Sequence, residues 1–470
     1  MSDEKEFVMG KEFESLDFNS KRLGNRFVQA METLSREPLE SIWGSCETRA
    51  ESKAIYHLLA NSKFNGDEVK RCLRDAAIKR ISENGKKILA VQDTTGINYA
   101  GHEKTEGMRY NCDKTLGINL HTCLAVTTGG IVLGILDQMA YTRTERKDES
   151  ATHDEKKLRS IEDKESNRWL TTMETSNKDI PDDITVVNVC DREGDMYELF
   201  EKAITTDKLF LIRIVQNRII ATSEESGKLI DEIKKEPPKG SVTVLVPRDS
   251  RRNVKAREAI LDVSFKQFEV NKPINLRGNK TLKDTVTMNV IYVKEQTDKN
   301  ISPIEWILAT NEPVNNFEEA YEKVGYYIQR WKIERFHYVL KSGCKVENIQ
   351  ERTYDRTTHL LLMYSLIAVV ILNMTYIARI NPDLPASILF DEDEWKILYC
   401  MANKTKTPPE AVYPIKDAVT FLGWLGGPKR APSDGPPGVK TIWLGLSKLY
   451  TMIEYHEYTP DKFTKENFTP

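Results

Sequence analysis

The chain has 470 residues, of which 40% are hydrophobic and 30% are charged, as in a globular protein of about two to four domains. Its net charge of −3 argues against indiscriminate nucleic-acid binding, although residues 206–300 hold 19 Lys/Arg against 13 Asp/Glu. Seven scattered cysteines without a Cys-x-x-Cys pair argue against zinc ribbons and disulfide frameworks. Together with the lack of an N-terminal signal segment, they predict a cytoplasmic protein.

The N-terminal region reads as helical. Small and apolar residues recur at three- and four-residue intervals over 25–32 and 48–59. A further helix is predicted over 68–84, with Asp67 as its N-cap. The basic segment at 21–26 lies at a predicted helix start, where backbone N–H groups and arginines could hold a phosphate. A plain solvated helix start explains that segment equally well.

Two short apolar runs each end in an aspartate. Residues 87–93 and 184–191 predict buried strands, with Asp93 and Asp191 at or near their C-terminal ends. A hairpin is predicted over 119–139, and a helix and a strand follow the second run. This mixture predicts an α/β fold with a mixed sheet.

The pattern changes twice further along the chain. Alternating apolar residues from 222 to 303 predict an antiparallel β insertion, after which a strand over 306–310 returns to the core. Beyond residue 381 three helices are predicted, separated by loops rich in Pro and Gly. The apolar run over 360–378 could span a bilayer, but polar residues interrupt it, so a buried helix explains it better and no membrane partner is expected.

A helix without Gly or Pro is predicted over 327–341. At about 100° per residue, Tyr327, Arg330, Glu334 and Lys341 fall within a sector of roughly 60°. An acid beside two cations and a tyrosine suits a metal site next to phosphate clamps. On spacing alone, a solvated charged face with a chance Glu/Arg pair is the alternative.

Three carboxylates on separate elements predict a metal site. Asp93, Asp191 and Glu334 together would offer hard oxygen ligands to two Mg²⁺ ions, for which Mn²⁺ would substitute. Two such ions about 3.5–4 Å apart would activate a water or a 3′-hydroxyl and stabilise the leaving oxygen. Each aspartate alone could instead form a turn at a strand end. That alternative leaves the Tyr/Arg/Lys edge beside Glu334 unexplained.

These residues carry a family resemblance. The chain resembles the DDE transposases with the Tyr-Arg-Glu-Lys signature, which are the cut-and-paste enzymes of bacterial insertion sequences, and it is most similar to their Tn-five type. The matching stretches occur in the family's order over nearly the whole chain: Asp93-Thr94-Thr95, 164–170, 189–193, and Tyr327-x-x-Arg330-Trp331-x-Ile333-Glu334-x-Phe336-His337 with Lys341.

The resemblance implies an RNase H-like, mixed-sheet catalytic core over 67–221 and 304–380. The β insertion over 222–303 would interrupt that core. A helical DNA-binding domain over 1–66 and a helical dimerisation domain over 381–470 would flank it. The gap of 143 residues between the second aspartate and the glutamate agrees with such an insertion.

The resemblance also implies residue roles. Three carboxylates would be catalytic and would bind the metal ions: Asp93, Asp191 and Glu334. Three residues would hold DNA phosphates near the scissile bond: Tyr327, Arg330 and Lys341. Arg213 would assist hairpin handling, and Trp306 would stack on a flipped base, which an aromatic face stabilises by about 1–3 kcal/mol. An ordinary core tryptophan is the alternative for Trp306.

The DNA-binding domain is expected to contact the transposon ends, with Arg26 and His57 among its contacts. Here the chain departs from its close relatives, because His57 follows Tyr56 where they have an arginine, and Tyr338 stands where they have a lysine. The DNA sequence that the family recognises therefore does not transfer to this chain.

The predicted function is a DNA transposase. It would bind inverted terminal repeats as a homodimer in the DNA synapse, cleave the ends through a hairpin, and join the 3′-hydroxyls to double-stranded target DNA. A catalytically silent, transposase-derived inhibitor or regulator is the first alternative. A carboxylate-pair hydrolase acting on sugars is the second, and it predicts no basic insertion.

Overall fold

The structure is a computed structural model that describes residues 9–143, 159–221, 227–246, 257–297, 303–429 and 435–458. Parts of the predicted β insertion, at 222–226, 247–256 and 298–302, lie outside the described residues. The chain divides into two compact units. The first unit comprises Met1–Lys86, Thr94–Lys147 and Lys332–Pro470, and the second comprises Lys87–Asp93 and Asp148–Trp331.

The elements of the described residues are numbered in chain order. The helices are α1 (Met9–Glu12), α2 (Lys21–Arg36), α3 (Arg49–Leu59), α4 (Gly66–Asn84), α5 (Asn167–Ser176), α6 (Tyr197–Thr205), α7 (Leu229–Ile233), α8 (Phe317–Gln329), α9 (Trp331–Tyr338), α10 (Tyr354–Ile380), α11 (Glu392–Asn403), α12 (Ile415–Gly426) and α13 (Val439–Tyr458). The strands are β1 (Lys87–Asn98), β2 (Arg109–Tyr110), β3 (Leu116–Thr127), β4 (Val132–Tyr141), β5 (Thr185–Cys190), β6 (Leu209–Arg213), β7 (Gly240–Val246), β8 (Arg257–Asn271), β9 (Thr285–Gln296) and β10 (Glu305–Thr310).

The N-terminal helices of the first unit pack around an aromatic cluster. Ser20 and Thr48 cap α2 and α3, because each side chain accepts a backbone N–H from the first turn. Phe27 of α2 is fully buried, and three further rings surround it: Phe13, Phe18 and Phe64. The cap of α4 is Asn65 rather than the predicted Asp67, whose backbone N–H it accepts at 3.0 Å.

A hairpin and a long helix form the rest of the first unit's core. β3 and β4 pair antiparallel, as predicted. Among the described residues, α10 is the helix long and apolar enough to cross a membrane, and 89% of its most apolar window is buried, as predicted for a core helix. Buried Gln138 of β4 donates to Ser365 of α10 at 3.0 Å, so hairpin and helix share a hydrogen bond inside the core.

The three C-terminal helices match the predicted ones closely. α12 and α13 approach each other through two glycines. A Cβ on Gly426 would lie 1.9 Å from the carbonyl oxygen of Thr441, and one on Gly445 would lie 2.1 Å from that of Leu422. The absence of a side chain at both positions therefore sets the distance between these helices.

The second unit contains a mixed sheet in the order β1–β5–β6–β10–β9–β8–β7, to which β1 contributes Lys87–Asp93. β1, β5 and β6 are parallel. The remaining strands are antiparallel, and β10 pairs on one side with β6 and on the other with β9. The described strands of the predicted β insertion thus extend the same sheet.

Two further sequence predictions were wrong in detail. Asp93 is the seventh of twelve residues in β1, not its end, because the strand continues to Asn98 alongside β3. The helix predicted over 327–341 is interrupted at Arg330 and passes at Val339 into a π-helical turn, where the N–H of Cys344 bonds the Val339 carbonyl. A π turn holds more residues than an α turn, so Lys341 departs from the helical phase assumed for it.

Candidate functional site

Asp93 lies in β1, and Asp191 directly follows β5, the parallel strand beside it. In the register of β1 with β5, Val91 lies beside Val189, and each aspartate follows two residues later. Residues two apart on a strand point to the same face, so the two carboxylates emerge side by side. Both side chains are partly exposed. The register of these strands therefore places the two aspartates next to each other.

Asp191 also shapes the turn that follows β5. Its Oδ1 accepts the N–H of Glu193 at 2.8 Å and begins a short 3₁₀ turn over Arg192–Gly194. This is the turn-forming role that the sequence left open. A Cβ on Gly194 would lie 2.6 Å from the Cβ of Cys190, so the turn lies flat against the strand.

Two ion pairs hold the chain on either side of this turn. Arg168 of α5 donates to the Glu193 carboxylate at 2.5 Å. Past the turn, Asp195 is fully buried, pairs with Arg218, and accepts the N–H groups of Val215 and Gln216 at 2.7 Å each. Sequence analysis missed Arg168, although it lies inside the 164–170 stretch that resembles the family. Arg168 is thus connected to Asp191 through Glu193, whose N–H the aspartate accepts.

Arg330 and Tyr327 lie at the C-terminal end of α8, beside the aspartates. A guanidinium nitrogen of Arg330 lies 3.7 Å from an Asp93 oxygen, and both side chains are largely buried. The same guanidinium lies 5.7 Å from the centre of the Tyr327 ring. Burial raises the pKa of Tyr327, while Arg330 and Arg213 oppose that rise and Asp191 adds to it. These charges surround the phenol, which is neutral at physiological pH and can donate a hydrogen bond.

Trp306 and Arg213 border the same group of residues. The Trp306 ring meets the Tyr327 ring edge-on, with centroids 5.4 Å apart, and the indole is only partly buried. Arg213 of β6 donates to the carbonyl of Glu305, the residue before the tryptophan, at 3.1 Å. The indole keeps an accessible part, and its stacking role stays a prediction.

A buried ion-pair network places α8 on the sheet. Glu312, in the loop after β10, lies 2.7 Å from the ammonium of Lys87 on β1 and 3.6 Å from that of Lys323 on α8. At the start of the helix, Phe317 covers Gly240, where a Cβ would lie 2.3 Å from the ring. Fixed at both places, the helix holds Tyr327 and Arg330 in position above the aspartates.

Glu334 and Lys341 belong to the first unit, on α9 and in its π turn, and both are partly exposed. Their predicted roles beside the two aspartates stay predictions. Within the described residues, no group of three or more His, Cys, Asp or Glu side chains is close enough together to hold a metal ion. The second unit itself supplies two of the predicted carboxylates, Asp93 and Asp191. Two carboxylates completed by waters are a ligand set that Mg²⁺ accepts, so the residues fit this ion.

Arg26 and His57 lie on the N-terminal helices of the first unit. His57 is exposed on α3, next to exposed Tyr56. Arg49 and Lys53 are exposed on the same helix, at four-residue intervals that continue to His57. Arg26 is partly exposed on α2. A helix face with two cations, a histidine and a tyrosine is suited to contact DNA phosphates and base edges.

Comparisons with known proteins match both ends of the chain. Residues 7–64 match the family model described as transposase DNA-binding, and residues 366–464 match the transposase Tn5 dimerisation domain. Among solved structures, the chain aligns with a piggyBac transposase synaptic complex with hairpin DNA, studied by cryo-EM. That alignment has 10% identity, covers 95% of this chain and 73% of that one, and gives a TM-score of 0.36.

Proposed function

The chain belongs to the Tn5-type transposases, as its matches to a transposase DNA-binding domain and to the Tn5 dimerisation domain show, and from this premise we propose how it acts. It cleaves the ends of a transposon in the bacterial cytoplasm and joins their 3′-hydroxyls to target DNA. The cleaved end passes through a hairpin. The observation that carries this proposal is the side-by-side placement of Asp93 and Asp191 with Arg330 against Asp93.

The catalytic core is proposed to be RNase H-like. The parallel strands β1, β5 and β6, with α6 between the second and third, support this arrangement. β6 and β10 are direct neighbours in the sheet, although β7, β8 and β9 lie between them in the chain. That connectivity is what a β insertion into a continuous core would leave.

Asp93 and Asp191, with Glu334 as third ligand, would hold two Mg²⁺ or Mn²⁺ ions. When bound, the ions would polarise the attacking oxygen and neutralise the leaving oxygen in phosphoryl transfer. Carboxylates without His or Cys suit these hard cations. Arg168 would keep Asp191 aimed at the site by holding Glu193.

Tyr327 and Arg330 would bind the phosphate beside the scissile bond. Arg330 presents a planar guanidinium that can pair with two phosphate oxygens. Its contact with Asp93 places a cation close to the proposed metal ligand, so phosphate and carboxylate would share it. Tyr327 would add a hydroxyl donor, and Lys341 a further cation from the π turn.

Hairpin formation would use the group around Trp306. A tight hairpin unstacks its terminal bases, and a partly exposed indole offers a face for one of them. Arg213, whose guanidinium lies at the same strand ends, would hold the backbone of the flipped nucleotide. In the homodimer, each subunit would cut the end held mainly by its partner.

A cleavage assay with full-length protein tests the proposal. Linear duplexes carrying the inverted repeats that border the coding sequence are incubated with and without Mg²⁺, and strand products are resolved on denaturing gels. Wild-type protein should nick, form hairpins and release blunt ends only with Mg²⁺ or Mn²⁺. Asp93→Asn should bind the same duplex and leave it intact. Mg²⁺ should raise the Tm of the wild type but not of this variant, a readout independent of turnover.

Two outcomes would contradict the proposal. Cleavage by Asp93→Asn in Mg²⁺ would remove this residue from the site. Binding without cleavage by the wild type, under every divalent ion tested, would favour the silent DNA-binding inhibitor or regulator instead.

A further inference from the structure

Two cations of the first unit lie over one tyrosine ring, and a third cation lies close to them. Lys332 of α9 lies with its ammonium 3.2 Å from the centre of the Tyr376 ring on α10. The guanidinium of Arg379 lies 5.7 Å from the same centre. Arg335 follows Lys332 by one helical turn and rests on the Tyr338 ring at 5.1 Å. These residues, Lys332, Arg335, Arg379 and Tyr376, are called the Tyr376 cluster.

The Tyr376 cluster has no acidic partner within the described part of the chain. No carboxylate there forms an ion pair with Lys332, Arg335 or Arg379. Other cations, such as Lys87, Lys323 and Arg257, have such a partner. The hydrogen bond that Arg379 makes is to the carbonyl of Pro437, at 3.1 Å. An arginine has five N–H donors, so most of the donor capacity of the cluster remains available.

The arrangement is electrostatically unfavourable by itself. Burial lowers the pKa of Arg379, against a rise from Tyr376 that exceeds the lowering from Arg335. Burial also lowers the pKa of Lys332 to about 7, and the charge of Arg379 adds to that effect. Uncompensated like charges cost free energy and are retained mainly where they serve binding. Arg379 is nevertheless exposed, and the other two cations are partly exposed, so an anion can reach them.

We propose that the Tyr376 cluster is a binding site for a backbone phosphate of DNA. Each guanidinium of this cluster can donate two hydrogen bonds to phosphate oxygens, and the ammonium of Lys332 adds a compact positive charge. This combination suits a backbone phosphate. The site would be separate from the Tyr327/Arg330 phosphate contact. This assignment of the ligand to DNA, rather than to a free anion, rests on the proposed function.

The position on α9 favours DNA over a small anion. Lys332 and Arg335 flank Glu334, but at about 100° per residue Lys332 faces away from it by roughly 160°. DNA that contacts the Tyr376 cluster would therefore lie on a different side of this helical turn from DNA that contacts Glu334. Such a contact would hold a second segment of DNA, such as the strand beyond the cleavage point or the target duplex.

DNA affinity and its salt dependence test the proposal. Full-length wild type, Lys332→Gln, Arg379→Gln and the double variant are titrated with terminal-repeat duplex and with target duplex at several salt concentrations. The slope of log Kd against log salt should fall by about 0.9 for each phosphate that a variant no longer neutralises. Between 50 and 200 mM salt the double variant should thus lose roughly tenfold less affinity than the wild type. Lys332→Arg should keep most of the wild-type salt slope, because it retains the positive charge.

Lys416→Gln is the matched control. Lys416 lies in the same unit, and its ammonium is 2.7 Å from Asp383, so the substitution removes one positive charge that already has a partner. The proposal would be overturned if the Lys332 and Arg379 variants changed the salt slope no more than Lys416→Gln does. The loss of a distant positive charge would then be enough to explain the change in slope.

Thermal unfolding without DNA gives an independent readout. Lys332→Gln should be at least as stable as the wild type, because the substitution relieves repulsion. Loss of stability together with an unchanged salt slope would mean that Lys332 serves packing on Tyr376, and the proposal would be wrong. A Tm increase with inorganic phosphate in the wild type alone, again without a slope change, would make this a small-anion site. Wild-type binding to DNA without cleavage would contradict the proposed function but not this site.

Discussion

The guanidinium of Arg330 lies 3.7 Å from the carboxylate of Asp93, although the two residues are 237 positions apart in the sequence. The contact exists because α8 is fixed on the sheet by Glu312, next to the strand that carries Asp93. Opposite charges this close attract each other, so Arg330 helps to fix the orientation of the Asp93 side chain. Under the proposed function, the guanidinium would also lie close to the scissile phosphate.

Arg330→Gln is expected to reduce cleavage strongly. A preorganised donor to developing charge is commonly worth about 10²–10³ in rate, so the variant should lose about that factor in single-turnover cleavage. Arg330→Lys should recover only part, because an ammonium cannot make the two-point contact. Affinity for the uncleaved duplex should change little.

The control is Lys202→Gln, which removes an exposed ion pair with Glu174 in the same unit. Equal cleavage by Arg330→Gln and the control would refute the role.

Gly194→Ala is expected to disturb the Asp191 turn. The added Cβ would lie 2.6 Å from the Cβ of Cys190, and relieving that clash must move the turn. Overpacking of this kind costs about 1–3 kcal/mol, and a displacement of about 1 Å at a catalytic group can cost 10²-fold in rate. Cleavage kinetics and chemical denaturation together measure both effects.

Gly325→Ala is the comparison for that substitution. Gly325 lies inside α8, and a Cβ there would meet nothing within 4 Å. Since alanine is the better helix former, this variant should gain about 0.5–1 kcal/mol and keep its activity. If Gly194→Ala behaved in the same way, the turn would tolerate a side chain and its tight packing would not matter.

The sequence drew attention to the two aspartates because each follows a short apolar run, at a point where the polarity of the chain changes. It failed at the Asp93 strand end, since pairing with β3 carries β1 on through the polar residues Thr94 and Thr95. It also failed for the helix over 327–341, because a π turn depends on local packing and not on hydrophobic periodicity. Contacts between distant residues, such as Arg168 with Glu193, leave no periodic signal at all.

The protein should become less stable as the pH falls, because His359 is buried in its neutral form. This imidazole stacks on Phe64 with centroids 4.0 Å apart, and burial lowers its pKa below 6.5, against smaller opposing effects from the Leu59 backbone and Asp355. The folded state therefore binds the proton less tightly than the unfolded state. The stability that neutral His359 contributes is complete above about pH 6.5 and is lost as pH falls from there towards the lower, folded-state pKa.

His359→Phe is the variant that measures this effect. It keeps an aromatic ring against Phe64 but has no titratable group, so the Tm difference between variant and wild type should widen in favour of the variant as pH falls from 7 to 5. The alternative outcome is a difference that stays constant over this range, and it would show that His359 does not change its protonation on unfolding.

Gly445→Ala is expected to separate the two C-terminal helices that approach most closely. A Cβ at this position would lie 2.1 Å from the Leu422 carbonyl oxygen, a backbone atom that cannot move without shifting α12. The free energy of unfolding should fall by at least the amount typical of overpacking, which is about 1–3 kcal/mol. Because both helices lie in the part matched to the Tn5 dimerisation domain, the DNA-bound dimer should weaken as well.

Gly438→Ala is the control, since a Cβ there meets nothing within 4 Å. Thermal unfolding and the mass of the DNA complex by light scattering measure the two consequences. A Gly445→Ala protein with wild-type Tm and a wild-type complex would show that the helices can part without loss.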